Sequence, residues 1–238
     1  GQEYWYKVEM KPDYAAAFGE VQVVIRPAEL TISREVITEK FYDGNDKAEV
    51  KNPSVTENIE SEAITVDTAA GVYAEGKDAG KKTIEIAYTL NLNGADFANY
   101  QYGGKRLESN IITETGLPGE IKPAEVVVSL PAQEMEYHSS TKVPLTGNVS
   151  IETGVITAEQ GMVTAELVSE AIGTALSKDV ATPENHVTVA ADQVMLRQNG
   201  LETKNYQVVE VRCGDVTITP KPVTLTFTGP MRATYNGS

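Results

Sequence analysis

Sulfur, imidazole and positive charge are all scarce in this chain. Its 238 residues include one cysteine, Cys213, and two histidines, His138 and His186. A lone cysteine excludes an internal disulfide framework and a thiolate-rich zinc site, and two histidines cannot make a three-histidine zinc site. A module with enough core does not need a disulfide, so the missing bridges do not fix the compartment. Basic residues number 20 against 34 acidic ones, for a formal charge of −14, which repels a polyanion and excludes nucleic acid as an expected partner. No apolar run approaches the roughly 20 residues that span a bilayer, so no membrane insertion is expected within this segment. No signal segment opens the sequence, which reads as part of something longer. A Ser-His-Asp set would need His138 or His186, there is no Gly-x-Ser-x-Gly elbow, and nothing in the sequence sets either imidazole beside an orienting carboxylate. Both read as solvated loop histidines, and the chain reads as a non-enzyme without a cofactor.

What is abundant is alternation with a period of two. Over residues 83–92, Ile84, Ile86, Tyr88, Leu90 and Leu92 share one face against Thr83, Glu85, Ala87, Thr89 and Asn91, the pattern of a half-buried strand. Val21, Val23 and Ile25 repeat it, as do Val209, Val211 and Cys213, and then Val223, Leu225 and Phe227. Cys213 is accordingly expected to be buried. One buried and one solvated face point to antiparallel sheets, and many short strands without helical crossovers point to a sandwich or barrel. Residues 164–176 are rich in Ala, Glu and Leu, yet they align with residues 64–74, which carry Val66, Thr68, Val72 and Tyr73. A strand is therefore expected there too.

The chain also repeats itself. Ile25-Arg26-Pro27 returns as Ile121-Lys122-Pro123 and as Ile218-Thr219-Pro220, so the prolines stand 96 and 97 residues apart. Each is followed by a tyrosine, Tyr42, Tyr137 and Tyr235, at 15, 14 and 15 residues. Recurrence on this scale marks an array of domains. The expected organisation is residues 1–24 as closing strands of a preceding repeat, 25–121 as a first repeat domain, 122–219 as a second, and 220–238 as the opening strand of a further one. Proline fixes φ and favours an extended predecessor, so each joint should be stiff. Residues 103–119, polar and glycine-rich, are expected to form a surface loop.

Several motifs together resemble the YDG-type and MBG-type tandem repeat domains of bacterial cell-surface proteins and adhesins. They are Phe41-Tyr42-Asp43-Gly44, Asp78-Ala79-Gly80, the run Leu92 to Tyr100 with Asp96, Asn99 and Tyr100, and the Ile-x-Pro joints. The second repeat departs from the pattern, keeping Asn205-Tyr206 but carrying Tyr137-His138-Ser139 in place of Tyr-Asp-Gly. The resemblance implies an extracellular, envelope-attached repeat with stalk or adhesive duty. Tyr42, Asp43, Gly44, Asp96, Asn99, Tyr100, Asn205 and Tyr206 are read as structural motif residues, Tyr100 as a tyrosine-corner device.

Other constellations are weaker. Asp43-Gly44-Asn45-Asp46 gathers oxygen ligands but lacks the calcium-loop pattern, having Ser54 where the bidentate Glu should fall, and reads as an Asp-Gly turn. The Gly71, Gly76-Lys77 spacing lacks the Ser or Thr of a phosphate loop. Tyr4-Trp5-Tyr6 and the 103–119 loop are the candidate contact surfaces. The expected fold is all-β, as tandem immunoglobulin-like sandwiches, with β-grasp-like repeats as the alternative. The expected function is a non-catalytic stalk segment. Its alternatives are a module that binds a host glycan or matrix protein and, less favoured, an accessory domain of an extracellular carbohydrate-active enzyme.

Overall fold

A computed structural model describes residues 24–56, 63–226, 228–229 and 235–236. The chain divides into two compact units between Lys122 and Pro123. Both are built from strands, and helix among the described residues is confined to three single 3-10 turns, Phe97–Asn99, Thr157–Glu159 and Ala191–Gln193.

The first unit holds β1 (Ala28–Glu29), β2 (Ile32–Val36), β3 (Glu39–Phe41), β4 (Lys47–Ala48), β5 (Val50–Val55), β6 (Thr65–Tyr73), β7 (Gly80–Asn91), β8 (Tyr100–Tyr102), β9 (Lys105–Arg106) and β10 (Ile111–Lys122). Its main sheet has the order β3-β10-β7-β6-β4, with smaller sheets β1-β8-β9 and β2-β5. The alternation in β7 organises the core: Ile84, Ile86 and Tyr88 are 0% exposed, and the intervening side chains turn outward. Pro118 lies inside β10 opposite Thr83. It is tolerated because Thr83 directs its N–H to the Glu75 carboxylate and its carbonyl to the Ala74 N–H, so no donor is required of the proline.

The second unit holds β11 (Ala124–Leu130), β12 (Gln133–Glu136), β13 (Lys142–Pro144), β14 (Ser150–Thr153), β15 (Val163–Leu167), β16 (Ile172–Ala175), β17 (Val187–Thr188), β18 (Val194–Gln198), β19 (Leu201–Glu202), β20 (Tyr206–Cys213) and β21 (Val216–Thr219). They make the sheets β14-β11-β20, β12-β21, β13-β16-β17 and β15-β18-β19. Leu130, Val143, Val187, Val216 and Ile218 anchor its core. Residues 164–176 hold the strands β15 and β16 joined by a turn, and no helix.

Four expectations need correction. Antiparallel pairing does not hold throughout, because β1 with β8, β3 with β10, β11 with β20 and β12 with β21 run parallel. Alternation reports that one face is buried; it carries no information on the direction of a neighbour. Residues 103–119 are not a loop. They contain β9 and most of β10, which pairs with β7 from Thr89 to Gly80 across one bulge, with Ile112 4% exposed. Of the glycines that suggested a loop, Gly103-Gly104 make a tight turn, Gly116 takes φ +82° at a bulge after Glu114, and Gly119 lies in paired strand opposite Lys82. Cys213 is half-buried, and Val209 does not share its face. The register shift between Val126 and Val127 leaves Val209 as an extra residue, 46% exposed, which inverts the parity of the rest of β20. Finally, residues 221–226 form no strand. Val21, Val23, Tyr4-Trp5-Tyr6 and the other N-terminal motifs lie outside the described residues.

Candidate functional site

The joints and the tyrosine motifs meet in the same place. In the first unit the Tyr42 N–H donates to the carbonyl of Lys122 at 2.7 Å, the residue just before Pro123. In the second unit the Tyr137 N–H donates to the carbonyl of Thr219 at 2.9 Å, the residue just before Pro220. At the other end of each unit Ala28, next to Pro27, lies opposite Tyr100, and Ala124, next to Pro123, lies opposite Tyr206. Each unit is thus closed twice by a parallel pair, one beginning beside a proline and one ending beside a proline.

The turn after each tyrosine has one backbone course and two chemistries. Gly44 takes φ +82° and Ser139 φ +64°. The Lys47 N–H donates to Asn45 Oδ1 at 2.9 Å, and the Lys142 N–H to Ser140 Oγ at 3.1 Å. The Tyr73 N–H donates to the Asp46 carbonyl, and the Ala175 N–H to the Thr141 carbonyl. Short side chains able to cap their own backbone suffice for this turn, which is why Tyr-His-Ser-Ser serves as well as Tyr-Asp-Gly-Asn.

In the first unit a cation fills the turn. Lys40 Nζ donates to Asp43 Oδ1 at 2.9 Å, to the Asn45 carbonyl at 2.9 Å and to Asn45 Oδ1 at 3.0 Å, and lies 5.5 Å from the centre of the Tyr73 ring. The oxygen cluster at Asp43-Gly44-Asn45 is therefore the cage of an internal ammonium. Partial burial works to raise the Asp43 pKa, but the hydrogen bond and charge of Lys40 and the Asn45 amide outweigh it and hold the carboxyl below the usual range. Burial, with the charges of Asp43 and Glu39, pushes the Tyr73 hydroxyl up, and that hydroxyl has no hydrogen-bond partner among the described residues. Met135 stands where Lys40 does, so the turn after Tyr137 has no such cage among the described residues.

Asp96 caps the turn Phe97–Asn99, its side chain accepting from the Ala98 N–H at 2.9 Å. That turn delivers Tyr100, 0% exposed, into β8. Asn205 and Tyr206 are also buried. The Asn205 amide donates to Gln198 Oε1, and the Tyr206 hydroxyl donates to the buried Glu159 carboxylate at 2.7 Å, a side-chain anchor where a tyrosine corner uses upstream backbone. In the first unit Glu114, on β10, ties several sheets together. It accepts from Tyr88, Tyr102 and Arg34, with burial and then Glu114 pushing the Tyr102 hydroxyl up to about 12.

Lys40, Glu114 and Glu159 are invisible to motif reading, since nothing in their local sequence marks a carboxylate or ammonium as buried. One negative reading is overturned: His186 does face a carboxylate, its Nδ1 lying 2.5 Å from Asp215 Oδ1. Both are well exposed. Cys213 is close in sequence, but burial, assisted by Asp215, raises its thiol, the opposite of what a nucleophile needs. Among the described residues no three His, Cys, Asp or Glu side chains are grouped to hold a metal ion.

No curated protein and no solved structure matches the chain. Residues 26–106, from the joint at Pro27 through the Tyr42-Asp43-Gly44 turn to the end of β9, match the family model of the YDG domain.

Proposed function

We propose that the chain is a non-catalytic stalk segment of a secreted or wall-attached bacterial surface protein, built of successive immunoglobulin-like modules of one construction. The observation that carries this is the direction of the closing strands. Tension along the chain pulls the start of a unit one way and its end the other. Where β3 lies parallel to β10, and β12 parallel to β21, such tension loads all the ladder bonds of the pair together, in shear. A pair whose bonds were loaded one after another would unzip at lower force. A segment whose work is reach and stiffness needs that arrangement, and the prolines that follow Lys122 and Thr219 stiffen the passage out of each pair.

Pulling the chain between its ends tests this. Gln133 and Tyr137 donate across β12-β21, and Met135 is in phase with them, so Met135→Pro deletes a ladder bond. The variant should unfold its second unit at markedly lower force. Unchanged force would refute the shear-loaded closure. The runner-up, a module for a host glycan or matrix protein, draws on the extracellular setting that the YDG resemblance implies. Arrays of both ligand classes separate the readings: the stalk reading expects silence, and reproducible saturable binding would favour the module.

A further inference from the structure

Two consecutive strands of the second unit leave an edge unpaired on the same slot. β14 is the outer strand of β14-β11-β20, and β15 is the outer strand of β15-β18-β19. The slot has a volume of about 630 Å³ and is lined by Ile151 and Thr153 from β14 and by Val163, Ala165 and Leu167 from β15. Neighbouring strands with free edges would ordinarily close on each other as a hairpin. These do not, because the connection between them, residues 154–162, is tied elsewhere. Gly154 takes φ +102° and presses against β11 so closely that a Cβ would fall 1.9 Å from the Glu125 carbonyl oxygen. Glu159, buried in the same connection, accepts from Tyr206 on β20 and from Gln198 on β18. The slot is therefore open before anything enters it.

One wall offers main chain. The Asn199 N–H donates to the Met162 carbonyl at 2.9 Å, and the Val168 N–H to the Gln193 carbonyl at 3.0 Å. In an antiparallel pair this sets the even-numbered residues of β15 toward β18. The N–H and C=O groups of Val163, Ala165 and Leu167 then point out of the sheet at its free edge. The charged side chains that line the slot are Glu152 and Glu166, and no basic or aromatic side chain lines it. Arg212 engages Oε2 of Glu152 and Arg197 engages Oε1 of Glu166, which leaves each carboxylate a second oxygen for a cation. A sugar ring finds no aromatic face to stack on, and an anion finds no counter-charge.

We infer that this slot binds an extended, basic segment of a partner protein, which enters as an added strand between β14 and β15. An extended main chain is the chemistry that matches unpaired strand edges, since it presents donors and acceptors at their own spacing. The four residues of β14 and five of β15 span about 15 Å at about 3.3 Å per residue, which sets the length of segment held. A lysine or arginine in that stretch meets Glu152 and Glu166, and the charge selects the partner. The inference rests on neither reading of function, because the slot and the closing pair β12-β21 use different strands.

The probe is a capped peptide of about nine residues, valine alternating with threonine and lysine, titrated onto the whole chain. Binding should saturate. Amide exchange at Val163, Ala165 and Leu167 should slow at least about tenfold, while Thr164 and Glu166, already bonded to β18, should not change. The same peptide N-methylated at alternate residues keeps its charge, loses its donors and should not bind. Ala165→Pro removes an outward donor at an edge, where proline is tolerated, and should weaken binding at least about tenfold. If that variant fails to fold, Glu152→Gln with Glu166→Gln leaves both edges intact. It should weaken the lysine peptide severalfold and spare one with threonine in place of lysine. Equal binding of the N-methylated peptide, protection without the odd-even alternation, or protection of β20 in place of β15 would overturn the inference. So would a dimer of the chain, or a glycan, that protects the same amides when the peptide does not. None of these results touches the unfolding force on which the stalk reading depends.

Discussion

Glu114 shows how one side chain can hold a unit made of several small sheets. It lies on β10 and accepts from Arg34 on β2, Tyr88 on β7 and Tyr102 on β8. Glu114→Gln should destabilise the first unit by about 2–3 kcal/mol, because Arg34 and two hydroxyls lose a charged acceptor; urea unfolding measures this. The Tyr102 hydroxyl sits at about 12 in the fold against 10 ordinarily. A raised value means stability that is fully present below about pH 10 and lost as pH rises through 12. The first unit should therefore weaken across that window, and Tyr102→Phe should weaken less. Asp43 runs the other way. Its lowered value adds stability above the ordinary carboxyl range that is lost as the pH falls below it. Since the Asp43 side chain is 47% exposed, Asp43→Asn should cost less than about 1 kcal/mol at neutral pH, and acid titration of the variant should show a shallower loss. Tyr73→Phe should be neutral or mildly stabilising, because the hydroxyl it removes is buried without a partner.

At the scale of strands, two glycines with one role make a paired prediction. Gly71 on β6 lies opposite Ala48, and Gly173 on β16 opposite Val143. A Cβ at Gly71 would fall 2.6 Å from the Ala48 carbonyl oxygen, and one at Gly173 would fall 2.5 Å from Val187 Cγ1. Each Gly→Ala change should cost about 1–3 kcal/mol in its own unit only, which domain-resolved unfolding would detect. Ile112→Ala should cost about 2–4 kcal/mol, a loss that no surface loop would suffer. This scale is also where sequence reading is strongest and where it stops. The alternation from Ile84 to Leu90 locates β7 and its buried face because burial repeats with the pleat. The direction of β3 against β10 is set by contacts some eighty residues apart, which leave no local mark. In residues 103–119 the polar, glycine-rich composition masks the short alternation at Ile111 to Glu114, because the glycines at 103, 104 and 116 shape a turn and a bulge beside paired strand. Of the site, the tyrosines and the joint prolines are legible from spacing, while Lys40 and Glu159 acquire their roles only through the fold.

For the whole molecule the account rests on two units, divided between Lys122 and Pro123, that share one scheme of closure and bear load separately. Extending a unit of about a hundred residues releases roughly 300 Å of contour, at about 3.6 Å per residue less its folded length. The most direct measurement is single-molecule extension of the chain from end to end. The account predicts two separate unfolding steps of about that size, each at a force characteristic of strands sheared in parallel. A single step of about twice that length, or gradual extension without a step, would contradict it.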